Sequence, residues 1–320
     1  MMRKEAVTGL MSPAKRQEDA LPGQPPRIER LSHSQHERLA YIEFRLYFIG
    51  EIGRPDLTGR FGVAPAGATR DIALYRELAP QNIEFDGSGK IYRIGQTFAP
   101  IFDHSPQRVL SALSLGFGDG IGSEQKPLLP CEFPATLTYP RIDVLAAICR
   151  SIHGKSAIAI RYHSMMSGES ERQIVPFALV DTGLRWHVRA FDRKTQEFRD
   201  FVLTRIEKPT ILDGEILPEE RPENDIQWTR IVELELIPHP RLDRPEIIRM
   251  DYGIQSESVR IRVRAAVAGY MLRRWSVDSS PDHVLTDEHY RLWLKDPLAL
   301  YGVENAKIAP GYRAPKESKI

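Results

Sequence analysis

Three cationic or titratable side chains alternate with apolar ones in the segment RWHVRAFD, which begins at Arg185. Alternate side chains of an extended strand point to opposite faces, so we expect Arg185, His187 and Arg189 on one face. The apolar side chains expected on the opposite face, in the core, are Trp186, Val188 and Ala190. The planar guanidinium of arginine donates two parallel hydrogen bonds to a phosphate or a carboxylate. The pattern therefore predicts either an anion site or a solvated strand face.

Neighbouring segments extend this cationic row. Short strands are predicted at 157–162, 173–179, 184–191 and 198–203. Arg161 and His163 share a face of the first strand, and Arg199 shares a face of the fourth with Phe201. If these faces coincide, six side chains form one cationic surface: Arg161, His163, Arg185, His187, Arg189 and Arg199. Short strands at such close spacing are typical of a small barrel or sandwich rather than of a parallel sheet.

The N-terminal block has the element order of a winged helix-turn-helix. Helices are predicted over 34–49, 56–61 and 66–78, followed by a hairpin around the turn residues 86–89. Ser34 and Glu37 have the spacing of a capping box at the start of the first helix. An ordinary small helical domain would show the same order, so this pattern alone leaves both interpretations open.

The third helix of this block is the candidate DNA-reading helix, because the second helix of a helix-turn-helix enters the major groove. Its buried face is expected to consist of Ala68, Ile72, Tyr75 and Leu78. Side chains on its outer face and on the hairpin have the types that contact bases or phosphates. These candidate DNA-binding residues are Thr69, Arg70, Arg76, Lys90 and Arg93.

Composition bounds the class of protein. The chain has 320 residues, of which 42% are hydrophobic and 27% charged, and its formal net charge is +1. This length exceeds one ordinary core, so we expect two or three domains. Two cysteines without a CxxC pair indicate reduced thiols in a cytoplasmic protein. No apolar run is long enough for a transmembrane helix, and the charged, proline-rich residues 1–30 predict a disordered leader.

Motifs for catalysis, metal binding or cofactor binding are absent from the sequence. It contains no Walker loop and no GxSxG nucleophile elbow, and the glycine-rich run GFGDGIG follows no clear strand. His163 and His187 lack partners at the spacing of metal ligands. We therefore expect a protein that is not an enzyme and that has no catalytic residues, metal or cofactor.

The remaining segments predict a linker, a helix and a further mixed domain. Residues 111–140 are rich in Gly, Ser and Pro, which indicates a connecting segment. A helix after Pro140 is expected to bury one stripe made of Ile142, Leu145, Ile148 and Ile152. The final block predicts strands at 231–237 and 259–263 and a helix at 265–275.

The motifs RYHS, VPFALVDTGLRWHVRAFD and FRDFVLTRI resemble those of WYL domains. More narrowly, they resemble the BrxR and CapW group of transcriptional repressors, which control bacterial anti-phage defence systems such as BREX and CBASS. The N-terminal block resembles that group's winged helix-turn-helix, and the final block resembles its C-terminal dimerisation extension. The Trp-Tyr-Leu sequence that gives the domain its name reads Trp186-His187-Val188 in this chain.

The resemblance implies an α+β multidomain protein. It would have an N-terminal winged helix-turn-helix, a central Sm-like small β-barrel that senses a ligand (the WYL domain) and a C-terminal α/β dimerisation extension. The boundaries that we expect are 1–30 for the leader, 31–100 for the winged helix, 101–140 for the linker, 141–215 for the WYL domain, 225–306 for the dimerisation domain and 307–320 for the tail. Ligand-binding residues carried over by motif are Tyr162, His163, Ser164, His187, Arg189, Arg199 and Arg205.

The function that the resemblance implies is transcriptional repression by a cytoplasmic homodimer. Such a protein would bind an inverted-repeat operator in double-stranded DNA, control itself and an adjacent defence operon, and be relieved by a nucleic-acid-derived or phosphorylated ligand, with no membrane partner. Two alternatives stay open: an activator of a stress or DNA-damage response, and a protein whose barrel binds single-stranded nucleic acid.

Overall fold

The computed structural model describes residue 28 and residues 31–116, 127–132 and 137–314. The predicted leader lies outside these residues except for Ile28, and the run GFGDGIG does so after Gly116. The chain divides into two compact units, Met1–Phe133 and Pro134–Ile320. Within the described ranges, no helix is long and apolar enough to cross a bilayer.

In its described residues, the first unit contains four α-helices and a small antiparallel sheet. Its elements in chain order are α1 (His33–Phe44), β1 (Glu51–Ile52), α2 (Arg54–Phe61), α3 (Pro65–Leu78), β2 (Ile83–Asp86), β3 (Ile91–Ile94) and α4 (Pro106–Leu115). The three strands pair in the order β1-β3-β2. Helix, helix, helix and hairpin therefore follow one another as the sequence predicted.

The start of α1 differs from the prediction. The capping box is formed by Ser32 and Gln35, not by Ser34 and Glu37. The Ser32 hydroxyl accepts a hydrogen bond from the backbone N–H of Gln35, and the Gln35 side chain accepts one from the N–H of Ser32. The predicted and the observed capping box have the same spacing between their two residues. The helix begins one residue earlier than the pattern of apolar residues indicates.

A buried carboxylate organises the core of the first unit. Glu43 of α1 is fully buried and accepts hydrogen bonds from the hydroxyl of Tyr75 and the N–H groups of Ile101 and Phe102, each at 2.9 Å. His104 Nε2 lies 2.9 Å from the same carboxylate. Because a buried carboxylate needs such donors, Glu43 holds the segment after the hairpin against α1 and α3.

The second unit begins with a helix and a five-stranded sheet. These elements are α5 (Ile142–Gly154), β4 (Ile158–Ser164), β5 (Gly168–Asp181), β6 (Trp186–Asp192), β7 (Glu197–Val202) and β8 (Ile206–Ile211). The antiparallel order is β7-β6-β5-β4-β8, so one strand more is present than the four predicted. The edge strands β7 and β8 are joined by the 3₁₀ turn Leu203–Arg205 but are not paired in the described residues. Closure into an Sm-like barrel therefore stays a prediction.

Helix α5 packs on this sheet with a different face from the one expected. Ile142 is 79% exposed, whereas Val144, Ala147 and Ile148 are buried against the apolar side chains of the strands. Leu145 and Ile152, also from the predicted stripe, are only partly buried. Of the predicted stripe, Ile148 is therefore fully buried as expected, whereas Ile142 is not.

The last part of the second unit is a mixed α/β domain. Its elements are α6 (Ile226–Thr229), β9 (Ile231–Pro238), α7 (Pro245–Asp251), β10 (Val259–Arg264), α8 (Ala265–Arg274), β11 (Val277–Asp278) and β12 (Leu292–Leu294). The strands form a sheet in the order β10-β9-β12-β11. Its core includes Leu234, Leu272 and Leu294, all fully buried. The predicted strands and helix of the final block match β9, β10 and α8.

Candidate ligand site and nucleic-acid interface

Helix α3 presents a cationic outer face. Ala68, Ile72 and Tyr75 are buried as predicted, and the candidate DNA-binding side chains of the helix are all exposed: Thr69, Arg70 and Arg76. The Thr69 hydroxyl donates to the carbonyl oxygen of Pro65 at 3.0 Å, which leaves its oxygen as an acceptor. Neither arginine of this face forms an ion pair within the described part of the unit. The helix therefore offers two unneutralised guanidinium groups.

The two candidate DNA-binding residues of the hairpin, Lys90 and Arg93, differ in whether their charge is free to bind a phosphate. Lys90 is exposed at the end of the β2–β3 turn. Arg93 is half-exposed, but its Nε lies 2.9 Å from Asp86 and its Nη1 lies 3.5 Å from Glu51. Hydrogen bonds from Ser88 and Arg93 hold the pKa of Asp86 well below its usual range, so this carboxylate stays ionised. A DNA phosphate would have to compete with two carboxylates for Arg93, whereas Lys90 is available.

Strand β6 is buried on both faces, not open on one. Val188 and Ala190 fill the core as predicted, but His187 and Arg189 are only 4% and 3% exposed. The prediction that Trp186 belongs to the core is wrong, since this side chain is 40% exposed. Trp186 is the first residue of the strand and pairs with Asp181 beyond the end of the core. The predicted open cationic row therefore does not exist in this form.

Arg189 is occupied by carboxylates. Its Nε and Nη2 donate to the two oxygens of Asp225 at 2.8 and 3.0 Å, and its Nη1 donates to Asp200 at 3.4 Å. Asp225 also accepts hydrogen bonds from the N–H groups of Gln227 and Trp228 at the start of α6. Arg189 is therefore held by carboxylates of this chain and is not an open cation on the strand face, while its role in ligand binding stays a prediction.

Arg199 lies on the other face of the sheet from Arg189. In the register of β6 and β7, Arg199 is opposite Ala190, whereas Asp200 is opposite Arg189. Arg199 is half-exposed and forms an ion pair with Glu197. It borders a cavity of about 410 Å³ that is also lined by Asp225. The prediction of one shared cationic face is therefore wrong for Arg199, although Arg199 and Phe201 do share a face.

Three further side chains of β4 have local partners. Tyr162 is buried in the core, and its hydroxyl accepts a hydrogen bond from the N–H of Val202. The Ser164 hydroxyl accepts hydrogen bonds from the N–H groups of two residues in the following turn. Arg161 Nε lies 3.0 Å from Glu171. These contacts stabilise the strand and its turn, and they leave no free cation at Arg161.

Four other side chains converge at the 3₁₀ turn that joins β7 to β8. Tyr162 of β4 is opposite Ile206, the first residue of β8, so His163 follows Tyr162 in β4 and Arg205 is the last residue of the turn before β8. Burial, together with the nearby charges of Arg185 and Arg205, lowers the pKa of His187 to about 4. We call this group, His163, Arg185, His187 and Arg205, the anion site.

The anion site has unused binding capacity. In the part of the chain that the structure describes, Nδ1 of His187 is buried without a hydrogen-bond partner. Arg185 and Arg205 form no ion pair with any described carboxylate, while His163 Nε2 lies 3.4 Å from Glu207. Two guanidinium groups without an ion pair, beside a buried imidazole whose Nδ1 has no partner, can bind an anion.

A large cavity of the second unit is lined by other side chains than those of the anion site. A cavity of about 800 Å³ lies between the end of α5, β5 and the segment after β8. Its apolar lining comes from Ile152, Val175, Phe177 and Ile216, with Lys155 and Arg221 at the rim. Among the residues described, no group of three or more His, Cys, Asp or Glu side chains is arranged to hold a metal ion.

Family comparisons match three consecutive parts of the chain. Residues 34–114 match the BrxR transcriptional regulator winged helix-turn-helix domain, residues 143–211 match the WYL domain, and residues 231–300 match the BrxR transcriptional regulator C-terminal dimerization domain.

Whole-length relatives carry one name, DNA-binding transcriptional repressor CapW. The protein of that name from Escherichia coli is 31% identical over 280 residues, which cover 84% of this chain and 91% of the relative. Its namesake from Pseudomonas aeruginosa is 32% identical over 249 residues, 74% of this chain and 81% of the relative. The one from Stenotrophomonas maltophilia is 30% identical over 282 residues, with coverages of 82% and 93%.

A solved structure of proteasome accessory factor B/C from Arthrobacter aurescens aligns with 82% of this chain at 16% identity, with a TM-score of 0.22. The chain spans about half the length of that protein, 47%. The resemblance found in the sequence motifs is confirmed by the family matches and by the CapW relatives. This chain therefore belongs to the BrxR- and CapW-related family of transcriptional regulators that contain a WYL domain.

Proposed function

We propose that this protein is a cytoplasmic, homodimeric repressor that binds operator DNA upstream of its own gene and of an adjacent anti-phage defence operon. The observation that carries the proposal is α3, whose exposed Arg70 and Arg76 have no acidic partner among the described residues, within a winged helix of the BrxR type. The relatives are named DNA-binding transcriptional repressors. We keep the expected domain boundaries at 31–100, 141–215 and 225–306 for this proposal.

The operator follows from symmetry. A two-fold dimer presents two copies of α3 related by the same axis, so its target is an inverted repeat whose half-sites face successive major grooves. Thr69, Arg70 and Arg76 contact bases or phosphates, and Lys90 contacts the backbone. Arg93 contributes less because it is held by Asp86.

Operator binding is tested by fluorescence anisotropy with the DNA upstream of the gene at physiological salt. The variant Arg70→Ala should weaken binding at least about fivefold, since a good base contact is worth about 1–3 kcal/mol. The matched control is Arg108→Ala, which removes an exposed arginine of α4 outside the proposed surface. Equal affinities of wild type and Arg70→Ala would refute the assignment of α3.

The anion site gives the repressor its signal. We propose that a nucleic-acid-derived or phosphorylated ligand binds Arg185, His187 and Arg205, with His163 at the edge, and that the sheet curls into an Sm-like barrel at the adjoining turn. Ligand binding releases the operator only if the ligand prefers the conformer that does not fit DNA. In a promoter-reporter strain, Arg205→Ala should repress normally and fail to induce. Normal induction would exclude this site.

A further inference from the structure

Tyr270 of α8 lies between the anion site and the buried acids around Arg189. Its ring centroid is 5.4 Å from that of His187, with the planes tilted by 31°. Its hydroxyl donates to Oδ2 of Asp200 at 3.1 Å. Burial and the Asp200 carboxylate raise the pKa of Tyr270, so the hydroxyl remains a donor. One side chain of the C-terminal domain thus contacts both a ligand-site imidazole and a carboxylate of β7.

The contact continues into the C-terminal domain through a chain of hydrogen bonds. Asp200 accepts from Arg189, and Arg189 donates twice to Asp225. Asp225 caps α6, and the side chain of Gln227 in that helix donates to the carbonyl oxygen of Gly302 at 2.9 Å. Tyr270 is therefore connected to α6 and to Gly302 by a continuous series of hydrogen-bonded groups.

Helix α8 packs closely against two neighbouring segments. Gly269, next to Tyr270, approaches Asn305 so closely that a Cβ atom would overlap the backbone of that residue. One turn further, Arg274 lies 3.4 Å from Asp181 and packs against Gly183 in the β5–β6 hairpin. The helix is therefore fixed both to the C-terminal domain, at Asn305, and to the β5–β6 hairpin, at Asp181 and Gly183.

We propose that Tyr270 couples occupancy of the anion site to the C-terminal domain through its hydrogen bond to Asp200. The inference rests on the ligand-controlled repression proposed above. An anion beside Arg185 and Arg205 favours a charged imidazolium on His187, which then faces the Tyr270 ring and, behind it, Asp200 and Arg189. The new charge changes the electrostatic environment of the Tyr270–Asp200 bond.

Coupling between two sites is reciprocal, so it is measured as the factor by which one ligand changes the affinity for the other. The probe is a 5′-phosphorylated single-stranded tetranucleotide, and the DNA is the duplex upstream of the gene. Anisotropy gives the operator Kd with and without saturating probe, and calorimetry gives the probe Kd. The full chain is used as wild type, Tyr270→Phe and Asp200→Asn, with Tyr301→Phe as a control that removes an exposed hydroxyl.

In wild type and Tyr301→Phe, the probe should weaken operator binding by a factor of about 10 or more, within the usual range of allosteric coupling. In Tyr270→Phe the ring stays against His187, so probe and operator should each bind within about threefold of wild type, while the coupling factor falls below about three. Asp200→Asn should lose coupling likewise, since it weakens the same bond. Thermal melting establishes that each variant is folded.

Results that contradict coupling through Tyr270 differ from results that contradict ligand-controlled repression. If Tyr270→Phe keeps full coupling, the proposed relay, meaning coupling through the Tyr270–Asp200 hydrogen bond, is overturned and ligand-controlled repression remains intact. A wild-type operator Kd that does not change with the probe, up to millimolar concentration, overturns ligand control and the relay together. Loss of probe binding in Tyr270→Phe, at an unchanged melting temperature, also overturns the relay, since Tyr270 would then act in binding and not in transmission.

Discussion

The guanidinium of Arg189 and the carboxylate of Asp225 form a buried ion pair with two hydrogen bonds, at 2.8 and 3.0 Å. The pair joins the central sheet to the segment that opens the C-terminal domain, and both residues are at most 3% exposed. The pair holds two parts of the second unit together, while the guanidinium groups of Arg185 and Arg205, which form no ion pair with a described carboxylate, lie elsewhere.

Arg189→Ala should therefore destabilise the protein strongly. It leaves Asp225 charged and buried without its partner, which costs about 3–5 kcal/mol. Arg199→Ala removes a half-exposed arginine paired with Glu197 and should cost less than about 1 kcal/mol. Urea denaturation of the two variants measures both values. Similar losses in the free energy of unfolding of the two variants would show that the buried pair contributes no more to stability than the exposed one.

The salt dependence of operator binding should distinguish Arg76 of α3 from Arg93 of the hairpin. Each cation that neutralises a DNA phosphate contributes about one unit to the slope of log affinity against log salt. Arg76→Ala should therefore lower the slope by about one. Arg93→Ala should change it by less than about half a unit, because Asp86 and Glu51 already neutralise Arg93. Anisotropy titrations at several salt concentrations provide the slopes, and the reverse order would refute the assignment.

His187 should make the protein less stable in mild acid. Its pKa falls from an ordinary 6.5 to about 4 on folding, mainly because it is buried. Between these values the unfolded chain binds more protons than the folded one, so stability is full above pH 6.5 and falls as the pH drops towards 4. The loss is on the order of 3 kcal/mol, from about 1.4 kcal/mol per pKa unit.

Urea denaturation of wild type and His187→Gln across this pH range isolates the effect as a difference, since other groups titrate in both proteins. The variant should lose less stability than wild type between pH 6.5 and 4. His163→Gln, at a half-exposed position, serves as the control and should follow wild type. Parallel curves for wild type and His187→Gln would contradict the burial of a neutral imidazole.

Anion binding should take up a proton at His187. A bound anion favours the imidazolium, so it raises the pKa of His187 and binding becomes tighter as the pH falls. Sulfate is the suitable probe because its charge is constant between pH 7.5 and 5.5. We expect its affinity to rise by about threefold or more over this range in wild type and to stay constant in His187→Gln. Calorimetry in two buffers of different ionisation enthalpy measures the proton uptake directly; an equal uptake in the variant would place the proton elsewhere.

Local sequence patterns predicted the elements better than the site. The alternation in β6 identified the strand, and the apolar spacing identified α3 with its exposed arginines. The alternation could not reveal that His187 and Arg189 are covered, because the covering side chains come from distant segments: Asp225 lies 36 residues after Arg189. A polar strand face looks the same in sequence whether water or a second domain covers it.

The pairing register between strands set a second limit on what the sequence could predict about the site. Arg199 appeared to join Arg189 because both alternate with apolar neighbours, but the face of one strand relative to the next is fixed by pairing, which places Arg199 opposite Ala190. Tyr270 and Asp200 gave no local signal, since each sits in an ordinary helix or strand pattern. Arg205 came from the family motif alone, and the structure places it near His187.

The central claim, repression by a two-fold dimer, is tested most directly by DNase I protection of the DNA upstream of the gene at physiological salt. The account predicts one protected stretch that contains an inverted repeat with half-sites about one or more helical turns apart, each about 10 base pairs. Protection no stronger than on unrelated DNA of equal length, or a protected stretch without two-fold symmetry, would contradict it.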